Sequence, residues 1–251
     1  MVNFAPYNKL TKQSNMQKLI LAAVMVFTIA TAFAQVDSAK TTTTVLEKED
    51  PSRDRFLINV HWDGWMGAPD SMKIKGLSSG IGLHYMYDVP LKDDNISFAI
   101  GAGVSWSNYY NNSYFTYDTS SYTVPVKFAD TVQYSKNKFV LNYVEVPLEF
   151  RFRTDDKNGN RFKAAIGFKA GYAFSNHTKY VGDDYISGSG DEIKFKQYRV
   201  KNVSTLQYGP TLRLGYSKIN IEAYYGLAPI FTDGEGPTGN PITVGVSFNP
   251  F

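Results

Sequence analysis

The chain has 251 residues, no cysteine, 15% aromatic residues and a formal charge of +3. Its length fits one domain, and the lack of cysteine excludes a disulfide-stapled fold. The first 34 residues hold Lys9, Lys12 and Lys18 and no acid, so the remaining 217 (251 less 34) are formally neutral. A neutral chain without a basic stripe excludes nucleic acid as the expected partner.

Met16-Gln17-Lys18 leads into the apolar run LILAAVMVFTIATAFA, which ends in Ala32-Phe33-Ala34. A basic start, a short apolar core and an A-x-A end predict a secretory signal peptide over 1–34, cleaved before Gln35. The run is about 16 residues long, whereas a spanning helix needs about 20. Residues 1–15 read as an upstream start artefact. Residues 35–53 carry a Thr run, mixed charges and a proline without apolar period, which predicts a flexible exported tail. The remaining residues, 54–251, form the expected folded domain.

From Arg55 onward the apolar period is two, the spacing at which side chains alternate across a strand. Strand one, about 55–66, sets Phe56, Ile58, Val60 and Trp62 against Asn59, His61 and Asp63. Strand two, about 77–89, sets Leu77, Ile81, Leu83, Tyr85 and Tyr87 against Ser78, Gly80, Gly82, His84 and Asp88. Strand three, about 95–107, sets Ile96, Phe98, Ile100, Val104 and Trp106 against Ser97, Gly101, Gly103 and Ser105. A long polar and aromatic segment, 108–137, precedes a hairpin from Lys138 to Ser175 around the turn DDKNGN. In its first arm Val144, Val146, Leu148, Phe150 and Phe152 oppose Glu145, Pro147, Glu149, Arg151 and Arg153. In its second arm Phe162, Ile166, Phe168, Tyr172 and Phe174 oppose Lys163, Gly167, Lys169 and Gly171. After a second long segment, 176–201, strand six (about 203–217) presents Arg213 on its polar wall. Strand seven (about 219–228) presents Glu222, and strand eight places Ile242, Val244, Val246 and Phe248 opposite Thr243, Gly245 and Ser247.

Eight strands joined by alternately short and long connections predict an all-β fold. It is an eight-stranded antiparallel transmembrane up-and-down β-barrel, or ten-stranded if a long loop adds a hairpin. Short turns, chain start and chain end fall on one side, the expected periplasmic side. A soluble barrel would put the apolar wall inside instead. The glycines decide against it, because they gather on the charged wall, where a narrow interior needs small neighbours. Trp62, Tyr85, Tyr87, Trp106, Tyr172, Tyr208 and Tyr216 on the other wall suit interfacial girdles.

Tyr143-Val144-Glu145-Val146-Pro147-Leu148 resembles the Y-x-E-x-P-L strand of the PorT-like bacterial outer-membrane β-barrel family, small barrels of the OmpX and OmpA kind. The similarity extends over about 55–251, including GLHYMYDV at 82–89 and GFKAGYAF at 167–174. It implies an integral outer-membrane barrel and permits membership of a type IX protein-secretion complex.

Glu145 and Glu149 lie about 13 Å apart along one strand, beyond the about 5–9.5 Å of a glycosidase carboxylate pair. Together with Arg151, Arg153, Lys163, Lys169, Arg213, Glu222, His61 and His84 they read as an ion-pair network filling the lumen. His61 and His84 suit a metal site less well than hydrogen-bonded lumen positions, so neither metal nor cofactor is expected. Pro147, and the change of apolar phase between Phe139/Leu141 and Val144, predict a bulge near Asn142–Pro147. Tyr109, Tyr110, Tyr114, Phe115, Tyr117 and Tyr122 in the long loop are candidate contact residues, as Tyr/Ser/Asn mixtures are in other binding surfaces. Alternatively, the flanking strands project beyond the membrane and these aromatics pack together. The expected role is a structural or binding barrel without catalytic activity. Its partners would be outer-membrane lipid and lipopolysaccharide, and other envelope or secretion proteins. A lipid-modifying barrel enzyme is the remaining alternative.

Overall fold

The computed structural model describes residues 55–91, 95–154 and 160–250. The expected signal peptide and the tail 35–53 lie outside the described residues. Eleven strands follow in order: β1 (Phe56–Met66), β2 (Ser79–Pro90), β3 (Ile96–Tyr110), β4 (Ser113–Tyr117), β5 (Thr123–Lys127), β6 (Tyr134–Arg153), β7 (Phe162–Asp183), β8 (Glu192–Tyr198), β9 (Leu206–Tyr216), β10 (Ile219–Tyr225) and β11 (Asn240–Phe248).

Eight of them close into an antiparallel barrel, in the order β6-β3-β2-β1-β11-β10-β9-β7 with β6 paired back to β7. Closure gives every wall strand two neighbours, so no backbone edge is left facing lipid. The other three strands lie beyond the barrel: β4 and β5 form a separate hairpin, and β8 extends the sheet on the upper part of β7. The long loops therefore add strands above the wall rather than a ninth and tenth wall strand.

The alternating pattern sets which wall faces out. Phe56, Ile58, Val60 and Trp62 on β1 are exposed, as are Ile81, Leu83, Tyr85 and Tyr87 on β2 and Val144 through Phe152 at every second position on β6. Exposure of so much apolar surface suits a lipid solvent and no other. Tyr85, Tyr87 and Tyr216 lie toward the short-turn end, and Trp62, Trp106, Tyr172 and Tyr208 toward the long-loop end, two belts of interfacial aromatics.

The bulge lies on the neighbouring strand. Against β3, β6 keeps one register from Ile96↔Phe152 to Tyr110↔Lys138, interrupted only opposite Pro147, which has no N–H to give. Against β7, Asn142 pairs with Ser175 and Tyr143 with Ala173, so Phe174 is the extra residue. Phe139, Leu141 and Tyr143 share the inward parity of Glu145, and all four are buried. The apparent change of phase is a change in what fills the interior, from charge to aromatic ring.

Candidate functional site

Among the described residues, the inward faces of the eight wall strands carry five acids (Asp63, Asp88, Glu145, Glu149, Glu222) and five bases (Arg151, Arg153, Lys163, Lys169, Arg213), equal in number. Two linked sets of contacts organise most of them. In the first, Asp88 accepts from Arg153 Nη2 at 2.7 Å and from Ser97 Oγ at 2.8 Å, with Arg151 Nη1 at 3.4 Å. Arg151 Nε donates to Glu149 Oε2 at 2.7 Å, and Arg213 Nη2 donates to the same oxygen. In the second, Glu145 accepts from Ser105 Oγ at 2.9 Å, with His84 Nε2 at 2.7 Å and Lys169 Nζ at 3.0 Å. The Lys169 ammonium also lies 4.3 Å from the centre of the Tyr224 ring.

Burial makes these contacts demanding. Arg151 is 2% exposed and Glu145 4%, so each charge depends on its partners rather than on water. His61 pairs loosely with Asp63, Nε2 to Oδ1 at 3.4 Å, while Asp63 Oδ2 accepts the backbone N–H of Asn108 at 2.9 Å. Glu222 stands opposite Arg213 in register, half-buried, and Lys163 is half-buried near the short-turn end. Small neighbours make this crowding feasible. A Cβ on Gly103 would run into the His84 ring and the Leu83 carbonyl, and one on Gly209 into the Tyr225 carbonyl.

The space left is small. A cavity of about 50 Å³ lies among His61, His84, Glu145, Lys169, Arg213 and Glu222, and one of about 30 Å³ lies beside Tyr109, Tyr143 and Gln207. At roughly 10–15 Å³ for one water, these hold a few waters each. Among the described residues, no group of three or more His, Asp or Glu side chains is placed to hold a metal ion.

Above the charges an apolar plug closes the barrel mouth. Trp65, Met72, Tyr109, Phe115, Phe139, Leu141, Tyr143, Val200, Ile230 and Phe231 form one buried cluster. Phe231 stacks on Phe139 and on Trp65, with centroids 5.7 and 5.8 Å away. Tyr109 and Phe115, candidates for surface contact by sequence, are thus buried, at 2% and 6% exposure. Tyr122 is tied down as well, its hydroxyl donating to the Gly236 carbonyl at 2.6 Å. Tyr110 and Tyr117 take cation–π contacts from Lys138 and Lys201. Tyr114 belongs to a second aromatic group with Phe128 and Tyr185. Burial there pushes the Tyr185 hydroxyl up to about 12, with Tyr114, Tyr180 and Asp184 adding to it. Sequence reasoning missed Trp65, Met72, Val200, Ile230 and Phe231. The one available signal was isolated apolar residues inside otherwise polar connections, as in Ala228-Pro229-Ile230-Phe231.

The family model described as outer membrane protein β-barrel domain matches residues 51–232. The chain belongs to that family. A search of curated proteins gives no match. Among solved structures, the barrel is similar to Ail, the attachment invasion locus protein of Yersinia pestis, at 13% identity and a TM-score of 0.34. That match covers 77% of this chain and 95% of the other. It is also similar to Ail in complex with the heparin analogue sucrose octasulfate, at 14% identity, a TM-score of 0.29 and the same coverage. As a member of the outer membrane protein β-barrel family, the chain is an integral protein of the outer membrane.

Proposed function

We propose that this barrel is a sealed, non-enzymatic structural or binding protein that presents its long connections outside the cell and keeps its N-terminal tail in the periplasm. The observation that carries the reading is the filled interior: a neutral ion-pair network capped by the Phe231–Phe139–Trp65 stack. An eight-stranded barrel has room only for its own side chains, and here they are mutually paired. The β4–β5 hairpin, β8 and the connection bearing Phe231 then form one rigid outer platform, as expected of a surface that meets a partner. Planar-bilayer recording of the purified protein tests this. The account expects a silent bilayer, and a steady ohmic conductance contradicts it.

The resemblance of residues 143–148 to the PorT-like strand supports a second reading, accessory membership of a protein-secretion complex. Co-purification of envelope secretion proteins with the tagged barrel supports it, and unimpaired secretion in a deletion strain sinks it. A lipid-modifying activity is checked by incubating the barrel with labelled phospholipid and lipopolysaccharide, which the leading account expects to stay unchanged.

A further inference from the structure

Above the lipid-facing band the outward wall changes chemistry. In register across three strands, Lys138 of β6 stands opposite Lys179 of β7, and Lys179 opposite Lys196 of β8. Directly opposed like charges destabilise a sheet, so a row of three lysines calls for something to offset it. Among the described residues no carboxylate lies within ion-pair distance of any of the three. The nearby acids are engaged elsewhere: Glu192 with Lys194 at 3.0 Å, Asp183 with the Gln133 N–H, and Asp184 with Ser187. Lys136 and Lys194 extend the positive field one row higher. Lys138 finds only neutral partners, the Asn108 Oδ1 at 2.6 Å and the Tyr110 ring. Its ammonium is pushed down by burial and by Lys136, Lys179 and Lys196, and His177 is held down by burial and by Lys196, Lys138 and Lys179. Lysines on the free edge of β8 also discourage edge pairing, but Lys138 and Lys179 sit on strands paired on both sides, where that explanation does not reach.

Directly below the row the wall is notched. β8 leaves β7 at Tyr198 and β9 joins it only at Leu206, opening a groove of about 540 Å³ lined by Phe174, Ser175, Asn176, Tyr198 and Arg199. Asn176 Oδ1 in the groove, and His177 Nδ1 on the ring that packs against Tyr198, are shielded from water without a hydrogen-bond partner. Phe174, the bulged residue, points out toward lipid, and Tyr172 and Leu206 continue the apolar band beneath it. From bottom to top this stripe runs apolar, aromatic and polar, then cationic. Lys138 is six residues above Val144, the last exposed apolar residue of β6, or about 20 Å along the strand. With strands tilted about 40°, that is roughly 15 Å of height, above the hydrocarbon and within the headgroup layer.

We propose that this stripe is a docking site for a phosphorylated glycolipid of the outer leaflet. Its acyl chains lie along Tyr172, Phe174 and Leu206, its sugar in the notch, and its phosphates on the row Lys138–Lys179–Lys196. The inference rests on the loops facing outward, as proposed above. Its test in detergent does not depend on orientation in the cell, so a failure here and a conducting pore are separate results.

The test uses the refolded, lipid-free full barrel, titrated with lipopolysaccharide bearing its phosphates, with the same glycolipid after phosphatase treatment, and with inorganic phosphate. Wild type binds the phosphorylated glycolipid, and K138Q/K179Q/K196Q binds it at least tenfold more weakly and with a shallower salt dependence. The heat-modifiable gel shift reports that the variant is folded. In glycolipid-free micelles the variant melts at the same or a higher temperature than wild type, because the opposed charges are gone. Added phosphorylated glycolipid raises the melting temperature of wild type only. Equal affinity for wild type and variant overturns the proposal, as does equal affinity for the dephosphorylated glycolipid. Displacement by inorganic phosphate at comparable concentration also overturns it, since the row would then be a bare anion site.

Discussion

Replacing Glu149 by Gln keeps the shape of the side chain and removes the charge that Arg151 and Arg213 share. Glu149 is 7% exposed, and its Oε2 accepts from Arg151 Nε at 2.7 Å. At that separation and an effective dielectric of about 20, one such attraction is about 6 kcal/mol before the cost of desolvating the charges is subtracted. The desolvation has already been met in the folded barrel, so removing the acid leaves two guanidinium groups close together, with Asp88 at 3.4 Å from Arg151 and Glu222 opposite Arg213 in register. The net loss expected for breaking such a buried set is about 3–5 kcal/mol. The double variant E149M/R213M, which removes charge from both sides, should recover most of that loss. Urea unfolding in lipid vesicles, followed by the heat-dependent gel shift, measures both. With a urea dependence in the range of about 1–3 kcal/mol per molar, E149Q should unfold at least one molar earlier than wild type. An E149Q barrel that unfolds at the wild-type urea concentration would refute the reasoning, because it would mean that bulk water screens the lumen.

Phe231→Ala removes the ring stacked between Trp65 and Phe139. It should cost about 3–5 kcal/mol, seen as protease cutting in the outer connections while the barrel remains folded. Gly209→Val forces a side chain into the Tyr225 carbonyl, so its refolding yield in vesicles should fall several-fold against wild type. Tyr185 is held protonated in the folded state, where its hydroxyl lies at about 12 against 10.0 for the free group. Its contribution to the outer aromatic group is therefore full below about pH 10 and lost as pH rises through about 12. Tyrosinate absorbance near pH 12 should fall by one tyrosine's worth in Tyr185→Phe, with an unchanged titration as the contrary result.

The lipid-facing wall was legible because membrane and lumen impose opposite chemistry on alternate residues. Ile81, Leu83, Tyr85 and Tyr87 against Gly82, His84 and Asp88 show that alternation within one strand. The lumen charges were legible for the same reason: Glu145, Glu149, Arg151 and Arg153 share one parity on one strand. The alternation loses its meaning above the membrane. There the outward side of β6 and β7 no longer meets lipid, and the inward side turns apolar. Phe139, Leu141 and Tyr143 therefore mimic a slipped register, although the strand does not slip against β3. Likewise Asn176 to Asp183 read as loop because they are polar, yet they continue β7, and His177 to Gly182 lie between β6 and β8. The plug draws Trp65 from the end of β1, Phe115 from β4 and Phe231 from the connection between β10 and β11, and no local period links them. The lysine row is equally non-local: Lys138, Lys179 and Lys196 become neighbours only through pairing.

The most direct test of the account is the side of β6 that meets lipid. The chain has no cysteine, so single cysteines can be placed at each position from Val144 to Arg151 and labelled with a thiol fluorophore in vesicles containing brominated lipid. The account predicts strong quenching at Val144, Val146, Leu148 and Phe150 and little at Glu145, Pro147, Glu149 and Arg151. Quenching in the opposite phase, or equal quenching by aqueous iodide at every position, would contradict it.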